Sequence, residues 1–268
     1  MKRALVLSGG GSKGAYEAGF LLAAKELNQH FDIVTGTSIG ALNGALVAMG
    51  DYEGLEYTWN ILDMDHVFNN APDLTDLRDD FMTTSLFNKE EGSNLSELKE
   101  SIAQQTSLAQ SFLRYYFKNK GADNTPFVEH CRGLMDEERL LSSPIDFGIC
   151  TVQFPSMKAC YKTKSEMERG HMLDYLLASS ACFPVFPMTE INGHKYIDGG
   201  FSDNLPIDLA LDMGADEIVV VDMHLVPVHP QYINRPSILY SCPPVDLGGF
   251  MDFNKDALER NKRLGYVM

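Results

Sequence analysis

Short segments with apolar centres stand out at RALVL near the start of the chain, at FDIVTGT (31–37) and at DEIVVVDMH (216–224). Such segments predict strands buried on both faces. Between the first two lies AYEAGFLLAAKEL (15–27), and after the second SIGALNGALVAMG (38–50), each with apolar positions at helical spacing and the latter stopped by Gly50. Strand, helix, strand, helix over the first fifty residues predicts a parallel sheet with helices packed on it. Further on, PIDFGICTVQF and KACYKTK predict a hairpin about Pro155-Ser156, and GHMLDYLLASSA a helix. Two short strands are expected about Asn192-Gly193, a strong hairpin turn. NLPIDLALDMG predicts a helix capped by Asn204 or Asp203, with Pro206 in its first turn.

The pattern changes over 51–140, where helical stretches alternate with polar loops and strand signals are scarce. The amphipathic run 96–121 gathers Phe112, Tyr115, Tyr116 and Phe117 near its end. This section reads as a helical insertion or cap within a single domain spanning 1–268. Its aromatic cluster is expected to be core, or to line an acyl groove or touch a membrane transiently. After residue 225 a proline-rich tail reads as irregular until a final helix near 252–264.

Composition narrows the classes of function. The 268 residues carry 22 Lys+Arg against 37 Asp+Glu, a formal net charge of −15. With the basic residues scattered, this surface repels nucleic acid, and no nucleic-acid partner is expected. It also disfavours anionic lipid, so any membrane contact would be apolar and local. Five cysteines without a CxxC pair suit a reducing compartment. The apolar run after Met1-Lys2-Arg3 is too short for a signal peptide, no stretch approaches the ~20 apolar residues of a membrane span, and a cytoplasmic location is expected. The oligomeric state is not legible.

The candidate chemistry starts at Ser38. Gly36-Thr37-Ser38-Ile39-Gly40 fits G-x-S-x-G and sits between a predicted strand and a predicted helix. A sharp turn there exposes the serine; Gly36 and Gly40 clear the space, and the helix N-terminus favours negative charge on the reacting oxygen. The bland alternative is an N-cap on a glycine-flanked helix.

Gly9, Gly11 and Gly14 fit G-x-G-x-x-G, so a nucleotide or dinucleotide site in the Gly9–Gly14 loop is a rival. That motif wants an acid at the end of the second strand, whereas Asp32 lies at its start, and Ser12-Lys13-Gly14 does not fit a P-loop. Alternatively, the main-chain N–H groups of Gly9, Gly10 and Gly11 form an oxyanion hole, with Lys13 as a nearby charge. A serine nucleophile needs a base. Ser38, Asp198 and His224 would give the chain order of an α/β-hydrolase triad, but too few strands precede Ser38 for that fold. Asp198, at the end of a predicted strand and followed by Gly199 and Gly200, could take the proton directly if burial raised its pKa. Alone, it would read as an Asp-Gly turn.

Together, GGGSKGAYEAG, GTSIGALNG, ASSACFPVFP and YIDGGFSDNLP, in that order, resemble the patatin-like phospholipase family. The resemblance covers most of the chain outside 51–140 and the tail. It implies a three-layer α/β/α sandwich with a mainly parallel sheet, and hydrolysis of lipid acyl esters by a Ser38–Asp198 dyad. It further implies an oxyanion hole at Gly9–Gly11, a basic residue at Lys13, and a position near the site for Ala178–Pro184. No cofactor or metal is required.

Overall fold

A computed structural model describes residues 1–70 and 122–268. Among these residues eight strands form one sheet: β1 (Arg3–Leu7), β2 (Ile33–Thr37), β3 (Asp146–Phe154), β4 (Lys158–Thr163), β5 (Thr189–Ile191), β6 (His194–Asp198), β7 (Glu217–Val221) and β8 (Ile238–Ser241). The order is β5-β6-β3-β2-β1-β7-β8, with β4 on β3. The central pairs β3–β2, β2–β1, β1–β7 and β7–β8 are parallel. This is the α/β fold expected, with a mainly parallel centre.

The described helices are α1 (Gly14–Glu26), α2 (Ile39–Ala48), α3 (Tyr52–Ile61), α4 (Met64–Val67), α5 (Thr125–Leu134), α6 (Glu137–Ser142), α7 (Met172–Ser179), α8 (Ile207–Asp212) and α9 (Lys255–Val267). Alternate strand residues feed opposite cores, because strand side chains have a period of two. Leu5, Leu7, Val219 and Val221 join the larger core under α1, α2, α7 and α9; Ala4, Val6, Ile218 and Val220 join the smaller one under α8. Three layers result. Among the described residues, no helix is long and apolar enough to cross a membrane.

One detail of β3 positions the site. Its N-terminal half, Asp146–Cys150, pairs with β2, and its C-terminal half, Thr151–Phe154, pairs antiparallel with β6. Strand β4 pairs with Gly148–Gln153, overlapping both, and so takes the other edge. Strands β2 and β6 therefore share one edge and point at each other. Thr37 lies opposite Cys150 and Asp198 opposite Thr151, adjacent residues of β3.

Several sequence expectations need correction. The tail is not wholly irregular: β8 adds a parallel strand beside β7. Its proline-flanked segment SILYS is too short for periodicity to reveal. The last helix is shifted, starting at Lys255 with Asn254 as its cap. Neither Asn204 nor Asp203 caps α8; Pro206 holds that position, and Asn204 is engaged elsewhere. The described parts of 51–140 are helical apart from their loops, whereas 96–121, with Phe112, Tyr115, Tyr116 and Phe117, lies outside the described residues. The Asn192-Gly193 hairpin forms with both residues at positive φ, 51° and 76°.

Candidate active site

Ser38 occupies the single residue between β2 and α2, at φ 56° and ψ −126°. A non-glycine residue at positive φ is strained, and such strain persists only where the surroundings hold it. Here they do. A Cβ on Gly36 would lie 2.5 Å from the Gly40 carbonyl oxygen, and one on Gly40 would lie 2.5 Å from that of Ser8. The two glycines let strand and helix close on the serine. Its N–H donates to Ser179 Oγ at 2.9 Å, and that hydroxyl donates to the Cys150 carbonyl at 2.6 Å.

The Ser38 hydroxyl donates to Asp198 Oδ2 at 2.7 Å, across 160 positions of chain. Asp198 is 6% exposed. Its other oxygen accepts the Gly200 N–H at 2.8 Å, and its own N–H donates to Ala181 O at 2.9 Å. Burial raises its pKa to about 6, although the bonds from Ser38 and Gly200 pull the other way. A carboxylate with that affinity can hold a proton at one step and release it at the next near neutral pH. Gly199 packs its backbone against the Cys150 carbonyl, where a side chain would not fit.

The glycine loop follows β1 and forms one wall of the same cavity. The Gly9 N–H donates to the Asn204 carbonyl at 3.0 Å. This corrects the expectation that Gly9 serves as an oxyanion donor: its N–H is committed to the main chain. Among the described residues, the N–H groups of Gly10, Gly11 and Ile39 have no acceptor. Lys13 lines the cavity too; burial lowers its pKa, opposed by the carboxylates of Asp246 and Asp222.

His224 reaches this cavity, but its Nδ1 sits 2.7 Å from Asp222 Oδ1. Asp222 is fully buried; burial raises its pKa, yet bonds from His224, Tyr240 and the Val228 N–H outweigh that and hold it below the ordinary carboxylate range. Asp32, just before β2 and so at the wrong end of that strand for the acid of a dinucleotide site, accepts the Arg3 N–H at the start of β1, the end of the strand remote from the glycine loop. The cavity holds about 350 Å³. Apolar side chains, among them Leu42, Leu62, Val67, Phe127, Val185 and Phe186, supply much of its wall, so an aliphatic chain could lie there beside Ser38.

A family model described as Patatin-like phospholipase matches residues 5–211. The chain belongs to the patatin-like phospholipase family. Patatin-like phospholipase domain-containing protein 7 of Rattus norvegicus is 26% identical over 227 residues, covering 82% of this chain and 13% of that protein. Lysophospholipase NTE1 of Meyerozyma guilliermondii is 25% identical over 224 residues, covering 82% of this chain and 12% of that one. The chain thus spans a small part of these relatives. In fold it is similar to VipD from Legionella pneumophila, with a TM-score of 0.52 at 16% identity, covering 99% of this chain and 65% of VipD.

Three residues of this patatin-like site were given no part in its chemistry from sequence, Asn204 having been read there only as a helix cap. Ser179 orients the Ser38 peptide, Asn204 binds Gly9 through backbone and side chain, and Ser12 bonds the tail. Each lies in a block that carries the family resemblance, Ser12 in GGGSKGAYEAG, Ser179 in ASSACFPVFP and Asn204 in YIDGGFSDNLP, but the blocks do not say what these side chains bond.

Proposed function

We propose that the chain is a serine acyl hydrolase that cleaves fatty-acyl esters of lipids, as a phospholipase A or lysophospholipase does, through an acyl-enzyme on Ser38. The observation that carries this reading is the 2.7 Å bond from Ser38 to a buried Asp198 at the wall of a largely apolar cavity. Asp198 takes the hydroxyl proton as Ser38 Oγ attacks the ester carbonyl carbon. The carbonyl π electrons move onto oxygen, and the N–H groups of Gly10 and Gly11 receive that charge. Collapse expels the alcohol portion, which takes the proton from Asp198. Water, deprotonated by the same carboxylate, then attacks the acyl-enzyme, and Ser38 leaves with the proton as the free fatty acid forms. The described helices α3 to α5 of the 51–140 section wall the acyl side, with Leu62, Val67 and Phe127. Membership of the family and the names of the relatives support a lipid substrate.

The test is product analysis with purified protein. Incubation with lysophosphatidylcholine or phosphatidylcholine should release free fatty acid detectable by mass spectrometry, and a long-chain fluorophosphonate should label Ser38. No release from any acyl ester, with Ser38 unlabelled, would overturn the reading.

A triad reading is favoured by one observation, the presence of the Asp222–His224 pair in the same cavity. With Asp198 already on the serine, His224→Ala is expected to lower kcat by no more than about tenfold, the scale of one lost polar contact. A loss of about a thousandfold in ester hydrolysis would move the base role to His224.

A further inference from the structure

The structure assigns a function to the tail beyond the family-matched residues: the segment Leu247–Phe250 acts through Ser12 to hold the glycine loop with the Gly10 and Gly11 N–H groups open. This rests on the oxyanion reading above. The loop is gripped at both ends. At Gly9, the N–H donates to the Asn204 carbonyl at 3.0 Å, and Asn204 Nδ2 donates back to the Gly9 carbonyl at 3.2 Å. At Ser12, the N–H donates to the Phe250 carbonyl at 2.8 Å, and Oγ donates to the Gly249 carbonyl at 2.9 Å. Between these clamps lie Gly10 and Gly11, whose N–H groups have no acceptor among the described residues. Donors held in place before the reaction need no reorganisation when charge develops, which is why position decides their value.

The tail reaches this close because Gly11, at φ 57°, has no Cβ; one built there would collide with the Phe250 carbonyl oxygen. The tail is itself fixed. Asn261 Nδ2 and an Arg260 guanidinium nitrogen, both on α9, donate to the Leu247 carbonyl at 2.8 and 3.1 Å. Helix α9 then seats against α1, the helix that the glycine loop opens: the Gly19 and Gly265 backbones touch the opposite helices directly, leaving no room for side chains. A path of contacts therefore runs from α9 through Leu247–Phe250 to Ser12. Ser12 is 2% exposed. It is a positioning residue, acting on the N–H donors and not on substrate.

The test compares Ser12→Ala with wild type on a soluble chromogenic ester, with rates normalised to sites titrated by a fluorophosphonate. We expect kcat per titrated site to fall about fivefold to tenfold, the range of one neutral hydrogen bond, with KM nearly unchanged. Affinity for a long-chain trifluoromethyl ketone, whose hemiketal carries an oxyanion, should fall by a similar factor. Arg260→Ala loosens the same segment from its far end and should move both quantities in the same direction, by less; it decides the matter if Ser12→Ala does not fold. Unchanged kcat per titrated site, or a rise in KM alone, would overturn the clamp. If Ser38→Ala keeps full activity, the proposed chemistry fails instead, so the two failures are distinguishable.

Discussion

Replacing Ser38 with alanine is expected to lower ester hydrolysis by about four to six orders of magnitude while leaving the protein folded. A nucleophile that forms a covalent intermediate has no substitute in the site, and removing one from an acting unit costs on that scale. The fold should survive because alanine keeps the Cβ that the elbow already accommodates at φ 56°, and the N–H to Ser179 remains. The affected partner is Asp198, which loses a hydrogen bond that lowers its pKa. Hydrolysis of a chromogenic acyl ester, followed beside thermal unfolding, checks both halves. Residual turnover within tenfold of wild type in a folded variant would remove Ser38 from the chemistry.

Asp198→Asn is expected to lower kcat by about three or more orders of magnitude and, above pH 6, to raise thermal stability. The amide can still bond Ser38 and Gly200 but cannot take a proton. In the proposed mechanism Asp198 works as base only when ionised, so kcat/KM should rise with pH, reach half its plateau near the Asp198 pKa of about 6, and fall roughly tenfold per unit below it. The stability change has the opposite sense. Folding moves this pKa up from 3.8 to about 6, because burial disfavours the charge. Between those values the folded chain binds more protons than the unfolded one, so stability falls as pH rises through the window. The full cost of ionising the buried group, on the order of 3 kcal/mol, is present above pH 6 and absent below about pH 4. Asparagine never incurs it. The variant should therefore unfold several degrees above wild type at pH 8 and close to it at pH 4. An equal melting temperature at both pH values would show that Asp198 is not desolvated as its burial implies.

The elements around the site were legible because each obeys a local rule. Short segments with apolar centres marked β1, β2 and β7, as strands covered on both faces require. The Gly36-x-Ser38-x-Gly40 spacing marked the elbow, since both glycines face backbone that a Cβ would strike. The glycines proposed as oxyanion donors were only partly legible. Three glycines in a row say that backbone approaches closely there, but not which N–H groups are already bonded, and Gly9 spends its own on Asn204. The part played by the tail was illegible, because SILYS and LGGF carry no periodicity and Ser12 looks like any loop serine.

From its residues alone, this chain determined its α/β class, its glycine-flanked serine elbow and the identity of two candidate side chains, because strand pattern, helix spacing and glycine requirements act over a few neighbours. Tertiary structure decided that Ser38 and Asp198 meet. It does so by seating β2 and β6 end to end on one edge of β3, a pairing between segments too far apart in sequence for any local pattern to record. It also decided the pKa of Asp198 and which loop N–H groups stay open. Burial and hydrogen-bond partners exist only once remote segments are packed together.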